Sequence, residues 1–246
     1  MSNIKLIQGD CLEKMKDIPD KSVDMILCDL PYGTTNCKWD TVIPFDKLWE
    51  QYEKLIKDNG AIVLFGSQPF TTKLINSNFE MFKYCLVWNK IKGSNIIMAN
   101  KRPLKSHEDI IIFYSNQPTY NPQMTFKENG SYDKRKFGEV NSNTMGFKLK
   151  KRNNKSSGER FPISILEFSK NWQPQKCFHP TQKPVALFEY LIKTYTNEGD
   201  LVLDNCAGSG TTGVACKNLS RDFVLIEKEP EYCKIAEQRL RQDLLL

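Results

Sequence analysis

The chain has 246 residues, 26% of them charged and 40% apolar, a balance that excludes a disordered or fibrous protein and suits one α/β domain with an insertion. Its first twenty residues carry Lys5, Asp10, Glu13, Lys14, Lys16 and Asp17, and no apolar run approaches the roughly 18 residues of a membrane span, so a soluble cytoplasmic protein without signal or membrane segment is expected. The net charge of +6 is concentrated: residues 119–160 hold ten basic side chains against four acidic ones, and the remainder is neutral, which points to a surface for a polyanion.

Short apolar runs alternate with amphipathic ones along the chain. Ile4–Gln8 reads as a strand, residues 12–17 as a short helix and Val23–Cys28 as a buried strand. Residues 45–57 place Phe45, Leu48, Trp49, Tyr52, Leu55 and Ile56 at helical spacing, Asn59-Gly60 is expected to stop that helix, and residues 61–65 follow as a strand. A helix over 70–76 and strands over 84–88 and 109–114 come next. Residues 116–178, rich in Asn, Lys, Ser, Gly and Pro, show no sustained period apart from an apolar stretch at 161–168. Regularity returns at Pro184, which suits the first turn of a helix with Val185, Phe188, Leu191, Ile192 and Tyr195 on one face. A strand over 201–205, a helix over 211–219, a strand over 223–227 and a helix over 230–240 complete the chain. Such alternation implies a mostly parallel sheet covered on both faces. Three segments follow: 1–115 and 179–246 as halves of one domain, and 116–178 as an insertion.

Two places carry chemistry. Asp29-Leu30-Pro31-Tyr32 follows the run Val23–Cys28, so a buried strand ends in a carboxylate, a rigid Pro and an aromatic ring, a pocket fitted to a planar amino group and the face of a base. Gly208-Ser209-Gly210-Thr211-Thr212-Gly213 follows Leu201-Val202-Leu203-Asp204 and matches the dinucleotide fingerprint, with Glu227 closing the next strand where an acid can grip ribose hydroxyls. A nicotinamide enzyme is disfavoured because one strand follows the turn where two successive halves are needed, and because Asp204 would repel a pyrophosphate. An acid there suits an uncharged or cationic ligand. The eight cysteines show no CxxC pair and only His107 and His179 could join them, so reduced thiols are expected and no metal site.

These motifs, in this order, resemble the S-adenosylmethionine-dependent amino-methyltransferases of DNA in the permuted β-group order, phage and restriction-linked enzymes among them. The order runs from Asp29-Leu30-Pro31-Tyr32 through the basic region, His179-Pro180-Thr181-Gln182-Lys183-Pro184 and the glycine turn to Glu227. The resemblance implies a Rossmann-like methyltransferase fold with a seven-stranded, mostly parallel sheet, and a target-recognition region inserted in it. It implies S-adenosylmethionine as cofactor and double-stranded DNA as partner, in a bacterial or phage-infected cell, as a monomer or homodimer with a possible companion restriction endonuclease. Two departures stand out: Leu30 replaces the usual Pro, and Asp204-Asn205-Cys206 replaces Asp-Pro-Phe.

Under that resemblance the Asp29 carboxylate and the Leu30 carbonyl accept the two hydrogens of an exocyclic amino group, freeing its lone pair, while Pro31 stiffens the turn and Tyr32 stacks on the extruded base. Asp10, Cys11, Asp29, Thr181, Lys183, Asp204, Cys206, Gly208, Gly210, Thr211, Thr212 and Glu227 would border the cofactor; for Asp10 a helix N-cap is the competing reading. Lys127, Lys134, Arg135, Lys136, Lys148, Lys150, Lys151 and Arg152 of the insertion would meet phosphates, with Lys90 extending the same surface. Trp39 and Asp40 would contact the extruded nucleotide, with a core position the competing reading for Trp39. Asp as the first tetrapeptide residue tilts the base towards adenine N6. Cytosine N4, an RNA or protein-amide acceptor, and a nucleic-acid-binding pseudo-enzyme remain open.

Overall fold

The computed structural model describes residues 4–35, 37, 40–94, 96–126, 159–169 and 182–241. They belong to two units, Met1–Asn121 with Ile163–Leu246, and Pro122–Pro162. The second unit, narrower than the insertion expected over 116–178, contains among its described residues an antiparallel pair of short strands, β6 (Thr125–Phe126) and β7 (Glu159–Arg160).

The first unit is built on β1 (Ile4–Gln8), β2 (Val23–Cys28), β3 (Ile56–Gly66), β4 (Phe82–Ser94), β5 (Lys105–Phe113), β8 (Ile165–Glu167), β9 (Leu201–Asp204) and β10 (Asp222–Glu227). They form one eight-stranded sheet in the order β1-β10-β9-β2-β3-β5-β4-β8, in which β5 alone runs against its neighbours. The eighth strand, one more than expected, is β8. It comes from the region read as insertion and adds to the edge at β4, where Val87 N–H donates to the Ser164 carbonyl at 2.8 Å and Trp88 Nε1 to the Phe168 carbonyl at 2.9 Å. Its three residues are too short for period-2 alternation to stand out in the sequence.

The helices are α1 (Cys11–Lys14), α2 (Phe45–Leu55), α3 (Phe70–Ser77), α4 (Val185–Tyr195), α5 (Thr211–Asn218) and α6 (Pro230–Arg241). Strand alternation sorts the core into two layers. Ile26, Cys28, Ile62, Leu64, Ile111 and Leu203 face Leu48, Tyr52 and Leu55 of α2 and Phe70 and Leu74 of α3. Met25, Leu27, Val63, Phe65, Ile110 and Val202 face Leu187, Phe188 and Leu191 of α4 and Ala215 of α5. Because β2 is covered on both faces, its sequence is a nearly unbroken apolar run. Asp24 is the exception, and it is used: it pairs with Lys57 at 2.6 Å and accepts the Leu201 N–H at 2.9 Å, tying β2 to β3 and to the start of β9. Asn59-Gly60 does not stop α2, since Ile56 already leaves the helix in extended conformation and Asn59-Gly60 lies within β3.

This topology fixes where a ligand can sit. β2 and β9 are parallel neighbours, with Met25 opposite Val202 and Ile26 opposite Leu203. From β2 the chain passes through α2 on one face towards β3; from β9 it passes through α5 on the other face to β10. The strand order therefore diverges between β2 and β9, and a crevice opens outside their carboxyl ends. The half-sheet that lacks a second strand after β10 in sequence is completed by the N-terminal β1.

Candidate active site

Asp29 follows the last residue of β2 and Asp204 is the last residue of β9, so the early tetrapeptide and the late glycine turn emerge side by side. One cavity of about 240 Å³ is lined by Gly9-Asp10-Cys11, Asp29-Leu30-Pro31, Gln182-Lys183, the run 204–209, Thr211, Glu227 at the end of β10 and Glu229 just after it. Six carboxylates line it, from Asp10, Asp29, Asp40, Asp204, Glu227 and Glu229, against the ammonium groups of Lys183 and Lys228. That excess of negative charge suits a cationic ligand.

Asp29 has both oxygens engaged. Tyr32 Oη donates to Oδ1 at 2.7 Å, and the Lys183 ammonium donates to Oδ2. Burial and then the Asp29 charge push the Tyr32 hydroxyl well above the ordinary phenol value, so it remains a donor. The Tyr32 ring lies against Phe70, with centroids 4.8 Å apart. Leu30 is buried in the layer under α2 and also borders the cavity, so an apolar residue at the second tetrapeptide position is accommodated by the core.

Lys183 is 6% exposed and bridges two acids, Asp29 and, at 3.2 Å, Glu108 of β5. Burial opposes its charge, but Asp29 and Glu108 outweigh burial and hold its pKa above the ordinary lysine value. Its ammonium also stands 5.1 Å from the Phe65 ring centroid. Glu108 in turn pairs with Lys90 of β4. Lys90, expected to extend a phosphate-contacting surface, is instead turned inward, because Glu108 lies on the adjacent strand and offers it a buried partner. Glu108 itself had no signal in the sequence, since nothing in a strand-forming run marks which acid faces a lysine 75 positions away.

The glycine turn is held by carboxylates. Asp204, 3% exposed, accepts from the Cys206 N–H at 3.1 Å and from the Thr212 hydroxyl. Burial raises its pKa, against the Thr212 and Cys206 hydrogen bonds, to about 6. Glu227 accepts from the Gly208 N–H and the Glu229 N–H, each at 2.7 Å, and burial pushes its pKa up as well. Of the fingerprint glycines only Gly208 borders the cavity. Gly210, expected to face a cofactor, serves packing instead: at φ +77° a Cβ there would stand 2.8 Å from the Ala236 Cβ of α6. Thr212 likewise supports Asp204 rather than lining the cavity, whereas Thr211 lines it.

Asp10 unites both readings, capping α1 through the Leu12 N–H at 3.0 Å while bordering the cavity. Cys11 and Cys206 line the cavity as well, and Cys28 packs behind them. The Cys206 contact and burial drive the Cys11 thiol far up, and burial raises Cys28 to about 12, so these thiols stay protonated and act as packing groups. Tyr52 Oη donates to Asn205 Oδ1 at 2.6 Å, giving the unusual Asn205 a fixed place under the turn. Asp40, expected with Trp39 to contact the extruded nucleotide, accepts the N–H groups of Gly33, Thr34 and Thr35 at 2.7–2.9 Å and holds the loop after the tetrapeptide. Burial works to raise its pKa, yet those donors outweigh it and keep the carboxyl below its ordinary value.

Trp39, Thr181, Lys127, Lys134, Arg135, Lys136, Lys148, Lys150, Lys151 and Arg152 lie outside the described residues. Among the described residues no cluster of acids, thiols and imidazoles suits a metal ion, and no helix is long and apolar enough to cross a membrane.

Comparison with known proteins bears on this arrangement. The family model described as DNA methylase matches residues 23–238. The type II methyltransferase M.HpaI of Haemophilus parainfluenzae is 29% identical over 96% of this chain and 74% of its own length. The DNA adenine methyltransferase YhdJ of Escherichia coli K12 is 28% identical, over 96% of this chain and 82% of its own. The crystal structure of an M1.HpyAVI–SAM complex superposes with a TM-score of 0.65 at 27% identity, covering 97% of this chain and 99% of that one.

Proposed function

The chain belongs to the DNA methylase family, and from that membership we propose that it moves a methyl group from S-adenosylmethionine to the N6 nitrogen of an adenine turned out of double-stranded DNA. The observation that carries this reading is the shared cavity: Asp29 and the Asp204 turn end adjacent parallel strands and open on one space. The acid-rich lining fits a ligand bearing a sulfonium and an ammonium group. Asp10, Cys11, Asp204, Gly208, Thr211 and Glu227 would hold it, and Glu227 retains acceptor capacity for ribose hydroxyls after its two backbone contacts.

When bound, the cofactor supplies an electrophilic methyl group; the rest of the chemistry is positioning by the protein. The amino nitrogen of adenine is a weak nucleophile because its lone pair is delocalised into the ring. Asp29 and the Leu30 carbonyl accept its hydrogens and turn the lone pair towards the methyl carbon. Each carboxylate oxygen can accept two hydrogen bonds, so Asp29 can serve the base while keeping Tyr32 and Lys183. Transfer would form the nitrogen–carbon bond as the carbon–sulfur bond breaks, and the amino nitrogen would release one hydrogen as a proton to solvent. Tyr32, fixed by Asp29 on its hydroxyl and by Phe70 on its ring, offers its remaining face to the base. The adenine assignment is supported by Asp as first tetrapeptide residue and by the name of the YhdJ relative. The basic insertion is proposed to hold phosphates.

Duplex DNA incubated with methyl-labelled S-adenosylmethionine is expected to yield N6-methyladenine on nucleoside digestion; N4-methylcytosine as sole product overturns the base assignment. Calorimetry with S-adenosylmethionine separates an enzyme from a pseudo-enzyme, which would give no heat of binding.

The pH dependence of cofactor affinity follows from Asp204. Its value near 6 lies above that of an unfolded Asp, so protonation favours the empty fold, and this stability is lost as pH rises from the ordinary carboxylate range through about 6. Binding of a cation has the opposite sign, since it needs the ionised form. Affinity for S-adenosylmethionine is therefore expected to fall several-fold between pH 7.5 and 5.5, with raised Glu227 adding in the same direction. In Asp204→Asn the affinity is lower throughout and the slope flatter; an unchanged slope removes Asp204 as its source.

A further inference from the structure

The connection between β4 and β5 carries groups the site does not use. Between Trp88 and His107 stand Lys90, Lys92, Lys101, Arg102 and Lys105, with no acid among them. Lys90 turns inward to Glu108 and Lys105 to Ser67, whereas Lys92, Lys101 and Arg102 are exposed. At the tip, a turn of 3₁₀ helix at Ile96–Met98 leaves Ile96 76% and Ile97 96% exposed. Ile91 and Leu104 nearby are exposed too.

A single exposed apolar side chain is ordinary, but two adjacent exposed isoleucines at the end of a hairpin that also carries three exposed cations are not. Folding gains nothing from them, so their use lies in what they meet. Their place in the fold is also particular. β4 runs in the same direction as β2 and β9, so its end, Ser94, lies at the edge of the sheet on which the cavity opens. The chain of contacts Asp29, Lys183, Glu108, Lys90 leads from the site to the base of the hairpin. From Lys90 to Ile97 an extended chain reaches at most about 25 Å. A partner for this tip must be anionic on its outside and apolar within, and duplex DNA, with phosphates flanking stacked bases, has that construction. Isoleucine is among the side chains that enter base steps as wedges.

We propose that Ile96 and Ile97 form an apolar wedge that enters the duplex beside the target base and fills the space it leaves, with Lys92, Lys101 and Arg102 on the flanking phosphates. This rests on the reading of the chain as an enzyme of double-stranded DNA. The wedge offsets the cost of extruding a paired base, so its removal matters only where that cost is present.

The test uses the full chain, the double variant Ile96→Ser/Ile97→Ser, and Ile97→Met as the conservative variant. The substrates are a duplex with the sequence methylated by the wild-type chain and the same duplex with the target base mispaired. Single-turnover methylation of the paired duplex is expected to fall at least about tenfold in the double variant and to return to within about twofold of wild type on the mispaired one, with Ile97→Met close to wild type on both. Since both side chains are exposed, the variant loses no packing, and an unchanged melting temperature and cofactor affinity confirm it. Wild-type rates on the paired duplex, or an equal loss on both duplexes, overturn the wedge alone. So does variant-sensitive binding to phosphatidylserine vesicles with DNA methylation unaffected, which assigns the tip to a membrane surface. A wild-type chain that methylates no DNA sinks the underlying reading and the wedge with it.

Discussion

Asp29→Ala is expected to lower single-turnover methyl transfer on the order of 10³-fold, the scale at which removal of one preorganised polar group from an active site is felt. Affinity for S-adenosylmethionine, measured by calorimetry, should stay within a few-fold, because Asp204, Glu227 and the glycine-turn backbone remain. The asymmetry follows from geometry: Asp29 follows the end of β2, where the cavity meets the tetrapeptide, and its proposed task is to accept an amino hydrogen of the base. Folding should survive, since Lys183 keeps Glu108 as a partner at 3.2 Å and is not left as an orphaned buried charge. Asp29→Asn should lose nearly as much, because the new amide donor faces the Lys183 ammonium and the side chain must turn to avoid it. A rate within tenfold of wild type in Asp29→Ala would remove Asp29 from the chemistry.

Much of this site was legible in the sequence because of where it sits. A parallel strand buried on both faces is written as an unbroken apolar run, and its end is marked by the first residue that cannot be buried cheaply. Val23–Cys28 followed by Asp29 and Leu201–Asp204 followed by a glycine turn are both of this kind, so element and site residue were read together. The parts that escaped depend on contacts between distant elements. Glu108 and Lys90 become site-supporting residues only because β4 and β5 pair with Trp88 opposite Glu108, a register no local pattern states. Gly210 matched a ligand-binding fingerprint but is required by the closeness of α6, a packing reason that gives the same letter. β8 was hidden by its length and by its place beyond a basic, irregular segment. Asp40 was expected at the extruded nucleotide, and its hold on the loop escaped because an acid collecting three loop N–H groups resembles any turn residue in sequence.

Lys183→Met should have the second large effect, and it separates stability from chemistry. Around the site two ammonium groups, Lys183 and Lys90, balance two carboxylates, Asp29 and Glu108. Removing Lys183 leaves two facing acids with one cation on the far side of Glu108. Breaking a buried pair in this way costs about 3–5 kcal/mol. The lower end applies here, because the Asp29 side chain is 23% exposed and water can reach it. For a chain of this length about 3 kcal/mol corresponds to a melting temperature lower by about 6–12 °C. Adding Glu108→Gln removes one of the two facing acids and leaves Lys90 an amide oxygen to donate to, so charge around the site balances again and the double variant should regain part of that loss in a thermal melt. Methyl transfer should not return with it. Lys183 also fixes which way Asp29 Oδ2 points, and no other described ammonium group donates to that oxygen. A double variant that recovers both melting temperature and transfer rate would reduce Lys183 to a stabilising cation; recovery of stability alone makes it the residue that aims Asp29 at the base.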